Sequence, residues 1–182
     1  MKVSYARQDM VNAAGLGGIM LAVLPVLHYW VSCQTYASDS LQNSTIFGAA
    51  MLLFWIAKLL IGFFLLRFIM VSFAAKYDGV TPQVAYLVGA FASMASGLIL
   101  GAFSMAYHSF INPEYIDAVI ETIKAAGLDN LSPGLDDALE KTSDSFPVGS
   151  FFANFFWCSL YGSVLSLILS RKISSIPEQE ES

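Results

Sequence analysis

Charge is what this chain has least of: nine Lys and Arg and fourteen Asp and Glu are spread over 182 residues, while 56% of the residues are hydrophobic. That ratio excludes a soluble domain with a water-facing surface. Cysteine is scarce too, and two residues, Cys33 and Cys158, do not build a disulfide scaffold. There are only two histidines, His28 and His108, each beside a tyrosine. Glu114 and Asp117 follow His108, but no paired metal-ligand spacing joins them, so no metal is expected. A nucleophile elbow and a phosphate loop are missing, and Gly15, Gly17 and Gly18 lack the strand-to-helix setting of a dinucleotide fingerprint. These absences leave no catalytic set and no cofactor, and nucleic acid is not an expected partner.

What the chain has instead is long apolar runs. Four are long enough to cross a bilayer, at about 13–31, 46–69, 84–108 and 151–170. The expected fold is therefore all-α: a single polytopic membrane domain over 1–182, with four transmembrane helices. Thr35 and Ala37 form a small-residue pattern after the first run, as at a signal-peptide cleavage site. The bulky cluster His28, Tyr29, Trp30 fits an interfacial anchor better, and the first run is read as a span.

The basic residues set an orientation. Lys2, Arg7, Arg67, Lys76, Arg171 and Lys172 share one side, whereas only Lys124 and Lys141 lie on the other. With loops this short, that split predicts both termini in the cytoplasm. The one long polar stretch, 111–150, then lies outside the cytoplasm, with eight acids against two lysines. It reads as a short helical hairpin. Asn112 and Pro113 start its first helix, Ile116, Val119, Ile120 and Ile123 form one apolar face, and Gly127 stops it. Ser132 and Pro133 start the second, with Leu135, Ala138 and Leu139 apolar, and Pro147 and Gly149 are expected to break the chain before the last span. Its acids make a solvated face or a surface for cations or a basic partner.

The third span carries small residues at every fourth position: Ala85, Gly89, Ser93, Gly97 and Gly101. In lipid, such a stripe marks close backbone approach to another helix. The fourth span repeats the pattern with Gly162, Ser166 and Ser170. The two faces are expected to meet within one chain, with a homo-oligomer interface as the alternative. Phe151, Phe152, Phe155, Phe156 and Trp157 thicken the outer half of that last span and are expected to face lipid or form an interfacial belt rather than a binding cage.

One residue breaks the pattern. Lys58 sits near the middle of the second run, where thirteen Leu, Ile and Phe residues between 46 and 66 outweigh the insertion penalty of about 3 kcal/mol for one central Lys. Spans one, three and four hold no Asp or Glu at depth to neutralise it. Four solutions stay open: snorkelling, solvation by carbonyls and hydroxyls such as those of Ser93 and Ser96, a water-filled cavity, or an acid from another subunit. Lys58 and, about 13.5 Å further along, Arg67 are the candidate contacts for a partner or an anionic ligand.

The stretches YHSFINPEYIDAVIETIKAAGL, Tyr107 to Leu128, and FFANFFWCSLYGSVLSLILSRK, Phe151 to Lys172, resemble the matching segments of domain-of-unknown-function family 4199. The resemblance implies a small four-span protein of the bacterial inner membrane and transfers no catalytic residue. As a partner it implies a glycosyltransferase that uses a polyprenyl-phosphate carrier.

Two functions then remain. In the first, the chain is a non-enzymatic integral membrane subunit that anchors or assembles a membrane complex, with lipid and another membrane or membrane-associated protein as partners. In the second, it is a carrier or lipid-handling protein whose Lys58 contacts an anionic substrate; no internal repeat or paired broken helix supports transport.

Overall fold

The computed structural model describes residues 3–36, 45–125 and 135–173 of the chain. Five α-helices account for nearly all of them: α1 (Arg7–Tyr36), α2 (Thr45–Lys76), α3 (Pro82–Ala106), α4 (Tyr115–Ala125) and α5 (Leu135–Ser170). A π-helical turn, Tyr107–Ile111, follows α3 directly. Four of the helices contain segments long and apolar enough to cross a membrane: Arg7–Gln34, Gly48–Lys76, Pro82–Ile111 and Lys141–Ser170. This is a multi-pass, all-helical membrane protein. The segments outrun the apolar runs because a helix keeps bonding its backbone past the last apolar residue wherever its ends are satisfied.

Those ends have identifiable causes. At the start of α1 the backbone N–H of Ala6 donates to the Asp9 carboxylate at 2.8 Å, the return half of a capping box. At α3, the Thr81 hydroxyl accepts from the Val84 N–H at 3.3 Å, and Pro82 fills the first turn, where a missing N–H costs nothing. Between α2 and α3 the chain turns through Gly79 at φ 71, a left-handed conformation that glycine adopts without penalty. Just before that turn a two-residue parallel bridge pairs β1 (Val3–Ser4) with β2 (Tyr77–Asp78), tying the amino-terminal segment to the end of α2. Nothing in the sequence pattern announces this bridge, because two residues are too few for a period.

α3 is the central helix: it packs along α5 and α1, and less extensively along α2. The core lies toward the end that carries the β-bridge, where Leu66, Met70 and Phe73 of α2 meet Ala85 and Val88 of α3 and Ile173 beyond α5. α2 is the least buried of the four long helices. Its exposed row of Leu52, Leu53, Ile56, Leu60, Phe64 and Phe68 suits hydrocarbon on one side.

At the opposite end α4 lies against the first part of α5, where the Ser143 hydroxyl donates to the Asp117 carboxylate at 3.0 Å. The expected break at Pro147 and Gly149 is absent: α5 runs unbroken through both. Pro147 removes only one hydrogen bond, the one to the Ser143 carbonyl, from a helix of 36 residues, and the packing of α5 along α3 outweighs that loss. The second arm of the hairpin is thus the amino-terminal extension of the last span. Its expected start at Ser132 and Pro133, the stop at Gly127 and the cleavage position at Ala37 all lie outside the described residues, as do the side chains of Thr35, Leu135, Ala138 and Leu139.

Candidate functional site

The small-residue faces position everything else. A Cβ added at Gly97 would lie 2.9 Å from the Phe155 carbonyl oxygen, and one at Gly101 2.8 Å from that of Phe151. Further down, a Cβ at Gly89 would meet the Ser166 hydroxyl, and one at Gly162 would overlap the Ser93 side chain. Ala85 is fully buried beside them. The stripe Ala85, Gly89, Ser93, Gly97, Gly101 is therefore taken up inside the chain, with α5 on it from Phe151 to Ser166. Ser93 can sit at such a contact because its hydroxyl donates back to the Gly89 carbonyl at 2.9 Å.

Close approach of α3 and α5 leaves α2 standing off, and a cavity of about 110 Å³ opens among α1, α2, α3 and α5. Lys58 lines it. The Lys58 Nζ lies 3.4 Å from His28 Nδ1, and an ammonium that donates there requires a neutral ring with its proton on Nε2. The sequence reading left His28 at the outer end of the first span, well away from Lys58. Side chains lean toward the N-terminus of their helix, and α2 begins at the end where α1 finishes, so Lys58 leans back toward His28.

The remaining polar lining comes from three helices: Tyr29 on α1, Ser93 and Ser96 on α3, and Asn154, Cys158 and Tyr161 on α5. Among the described residues, none that lines it is acidic. Asn154 donates to the Ser150 carbonyl at 2.9 Å, and the Tyr161 hydroxyl donates to the Leu59 carbonyl of α2 at 3.2 Å, pinning α5 to α2 below the cavity. The rest of the wall is apolar, with Leu21, Leu24, Leu65 and Leu100 among its members. Pro25 has no N–H for the Leu21 carbonyl, and both residues belong to this wall. Gly62, one turn beyond Lys58, leaves open space: a Cβ there would meet nothing within 4 Å. Trp157, half exposed, forms the edge where the cavity meets lipid.

Asn154, Tyr161 and Gly62 were not expected in a site, although a signal for them exists in the spacing. Asn154, Cys158 and Tyr161 recur at helical spacing on one face of α5, and Lys58 and Gly62 do so on α2. Arg67, the second expected contact, is exposed on α2 and outside this lining. Cys33 and Cys158 are both free thiols.

A second polar cluster closes the bundle at the π-helical end. His108 is buried, its Nε2 sits 2.7 Å from the Tyr29 hydroxyl, and its Nδ1 has no partner among the described residues. Tyr107, Tyr115 and Phe146 ring it. Gln34 donates to the Tyr107 hydroxyl at 3.2 Å. His108 is thus held by tyrosine and aromatic rings, away from Glu114 and Asp117, and among the described residues no group of three metal-ligating side chains converges. Tyr29→Phe leaves both ring nitrogens of a buried imidazole unpaired and should cost about 1–3 kcal/mol. Tyr161→Phe, whose acceptor is a helix carbonyl, should cost less. Thermal midpoints of the two variants in one detergent check the order.

The family model of proteins of unknown function (DUF4199) matches residues 13–171. No curated protein and no solved structure matches the chain.

Proposed function

This chain belongs to the DUF4199 family of proteins of unknown function, and we propose that it binds the anionic head of an amphiphile within the membrane, at the Lys58 cavity. One observation carries the reading: among the described residues Lys58, a cation inside a spanning segment, lines a cavity with largely apolar walls, a histidine neighbour and no acidic group. An ammonium in that setting is costly without a counter-charge. A carboxylate or phosphate head supplies the charge, and the leucine-rich wall takes the first methylenes of the chain. The role is binding rather than catalysis. To test it, the protein is extracted in mild detergent as wild type and as Lys58→Leu, and the lipids that remain are identified. An anionic species retained by wild type and missing from Lys58→Leu supports the reading; identical lipid profiles contradict it.

The second reading is an assembly subunit for another membrane protein, such as a polyprenyl-phosphate glycosyltransferase. The small-residue stripe no longer supports it, since α5 occupies that face. The open face of α2 does, being the least buried of the long helices. A stoichiometric protein partner that survives Lys58→Leu favours this reading over lipid binding.

Both readings share one membrane arrangement: a bacterial inner membrane with both termini in the cytoplasm. The six-to-two split of basic residues supports it. Reporter fusions at the amino end, near Lys76 and at the carboxyl end should read cytoplasmic, and one at Asp129 should not. A cytoplasmic reading at Asp129 overturns the orientation.

A further inference from the structure

A second site lies at the end of the bundle that carries the β-bridge, far from Lys58. There α1 and α2 flank a groove of about 320 Å³. Its walls are apolar and open to lipid, with Leu16 67% exposed on one helix and Phe68 59% on the other, and Met20 at the far end. From Asp9 to Met20 the groove runs about 16 Å along α1. Its mouth holds opposite charges, Asp9 from α1 and Lys76 from α2, with Asn12 and Tyr77 between them. The mouth falls where the two spanning segments end, at the level of lipid headgroups.

The mouth is also a built structure. The β-bridge fixes Tyr77 against the amino-terminal segment, with the Tyr5 ring edge-on to Phe73 at 5.9 Å and Phe73 tilted against Tyr77 at 4.8 Å. Lys76 is held 5.0 Å over the Tyr77 ring. Asp9 already accepts from the Ala6 N–H, is hydrogen-bonded to the Tyr77 side chain and is attracted by Lys76, but a carboxylate offers about four acceptor sites, so capacity remains for a ligand.

We infer that this groove binds a zwitterionic phospholipid with a primary ammonium headgroup. The phosphate pairs with Lys76, the ammonium donates to Asp9 and Asn12, and the acyl chains follow Leu16, Met20 and Phe68 inward. Charge complementarity selects the occupant. A quaternary ammonium has no N–H to donate, so a choline headgroup loses the Asp9 and Asn12 bonds. A glycerol headgroup leaves the phosphate charge unbalanced beside Asp9. A second copy of this chain would bring apolar helix to the groove and desolvate the Asp9 and Lys76 charges, which face each other, without giving either a further partner.

The test is native mass spectrometry of the full chain in detergent, titrated with phosphatidylethanolamine, phosphatidylcholine and phosphatidylglycerol of identical acyl chains. Phosphatidylethanolamine should bind at about three- to five-fold lower concentration than the other two, the worth of one partly exposed charge pair. Asp9→Asn keeps an acceptor for the Ala6 N–H and removes only the charge; it should erase that preference. Lys76→Gln should weaken all three lipids, and the preference for phosphatidylethanolamine should persist in Gly62→Leu, which blocks the Lys58 cavity, and that persistence separates this site from the other. Equal binding of the three lipids by wild type, a preference that survives Asp9→Asn, or dimers that carry no lipid would each overturn the assignment.

Discussion

Gly97→Leu should collapse the thermal stability of the protein, while Leu98→Ile, one residue away, should leave it unchanged. A Cβ at Gly97 would already sit 2.9 Å from a backbone oxygen and 3.2 Å from the Cys158 Cβ, and leucine adds three further carbons into the same space. A backbone carbonyl cannot rotate aside as a flexible side-chain tip can, so α3 and α5 must separate. Overpacking of this kind costs about 3 kcal/mol or more, and separation also forfeits the contacts at Gly101 and Gly89 above and below. Leu98 is half exposed to lipid, where a branched isomer fits as well. Soluble protein remaining after heating in detergent measures the difference. Coincident curves for the two variants would mean that the α3–α5 contact is not what holds the bundle.

The second large effect is expected at Lys58. Leucine there removes the desolvation burden of a membrane-embedded ammonium, so Lys58→Leu should express and insert at least as well as wild type. It should nonetheless lose the bound anion, a drop of about tenfold or more for the loss of one desolvated charge-assisted contact. Lys58→Arg keeps the charge on a longer, planar head and should retain part of the binding. Gly62→Leu gives an independent line of attack. It fills open space, replaces the poorest helix former but proline, and should fold as well as wild type while blocking the cavity. If both Lys58→Leu and Gly62→Leu keep wild-type binding, Lys58 only snorkels and the cavity is incidental.

The membrane architecture was legible because hydrocarbon imposes one coarse rule, an apolar helix of about 20 residues per crossing. The Gly and Ser spacing of α3 and α5 was legible for a similar reason: backbone approach needs small residues in register, and register is written in the sequence. Pro147 misled because a proline removes only one hydrogen bond, and the packing of a long helix along α3 carries it through that loss. The β-bridge left no trace, being two residues long. As for the site, Lys58 was conspicuous by its charge, but its neighbour was not. His28 looked like an interfacial residue because sequence alone does not show how far α2 slides against α1. The cavity was equally hidden, since it arises from α3 and α5 closing on each other while α2 stands away. Its polar stripe on α5, from Asn154 to Tyr161, was readable only once one knew which face turned inward.

The most direct test of the intramembrane binding site uses Trp157 at its edge, with Trp30 and Trp55 replaced by phenylalanine so that one tryptophan remains. The protein in detergent is titrated with a brominated single-chain carboxylate or phosphate amphiphile, and in parallel with the brominated alcohol of the same chain. The account predicts saturable quenching by the anion that an unbrominated anion relieves, that Lys58→Leu abolishes, and that the alcohol does not produce. Quenching that rises without saturation, equally for anion and alcohol and equally in Lys58→Leu, would contradict it.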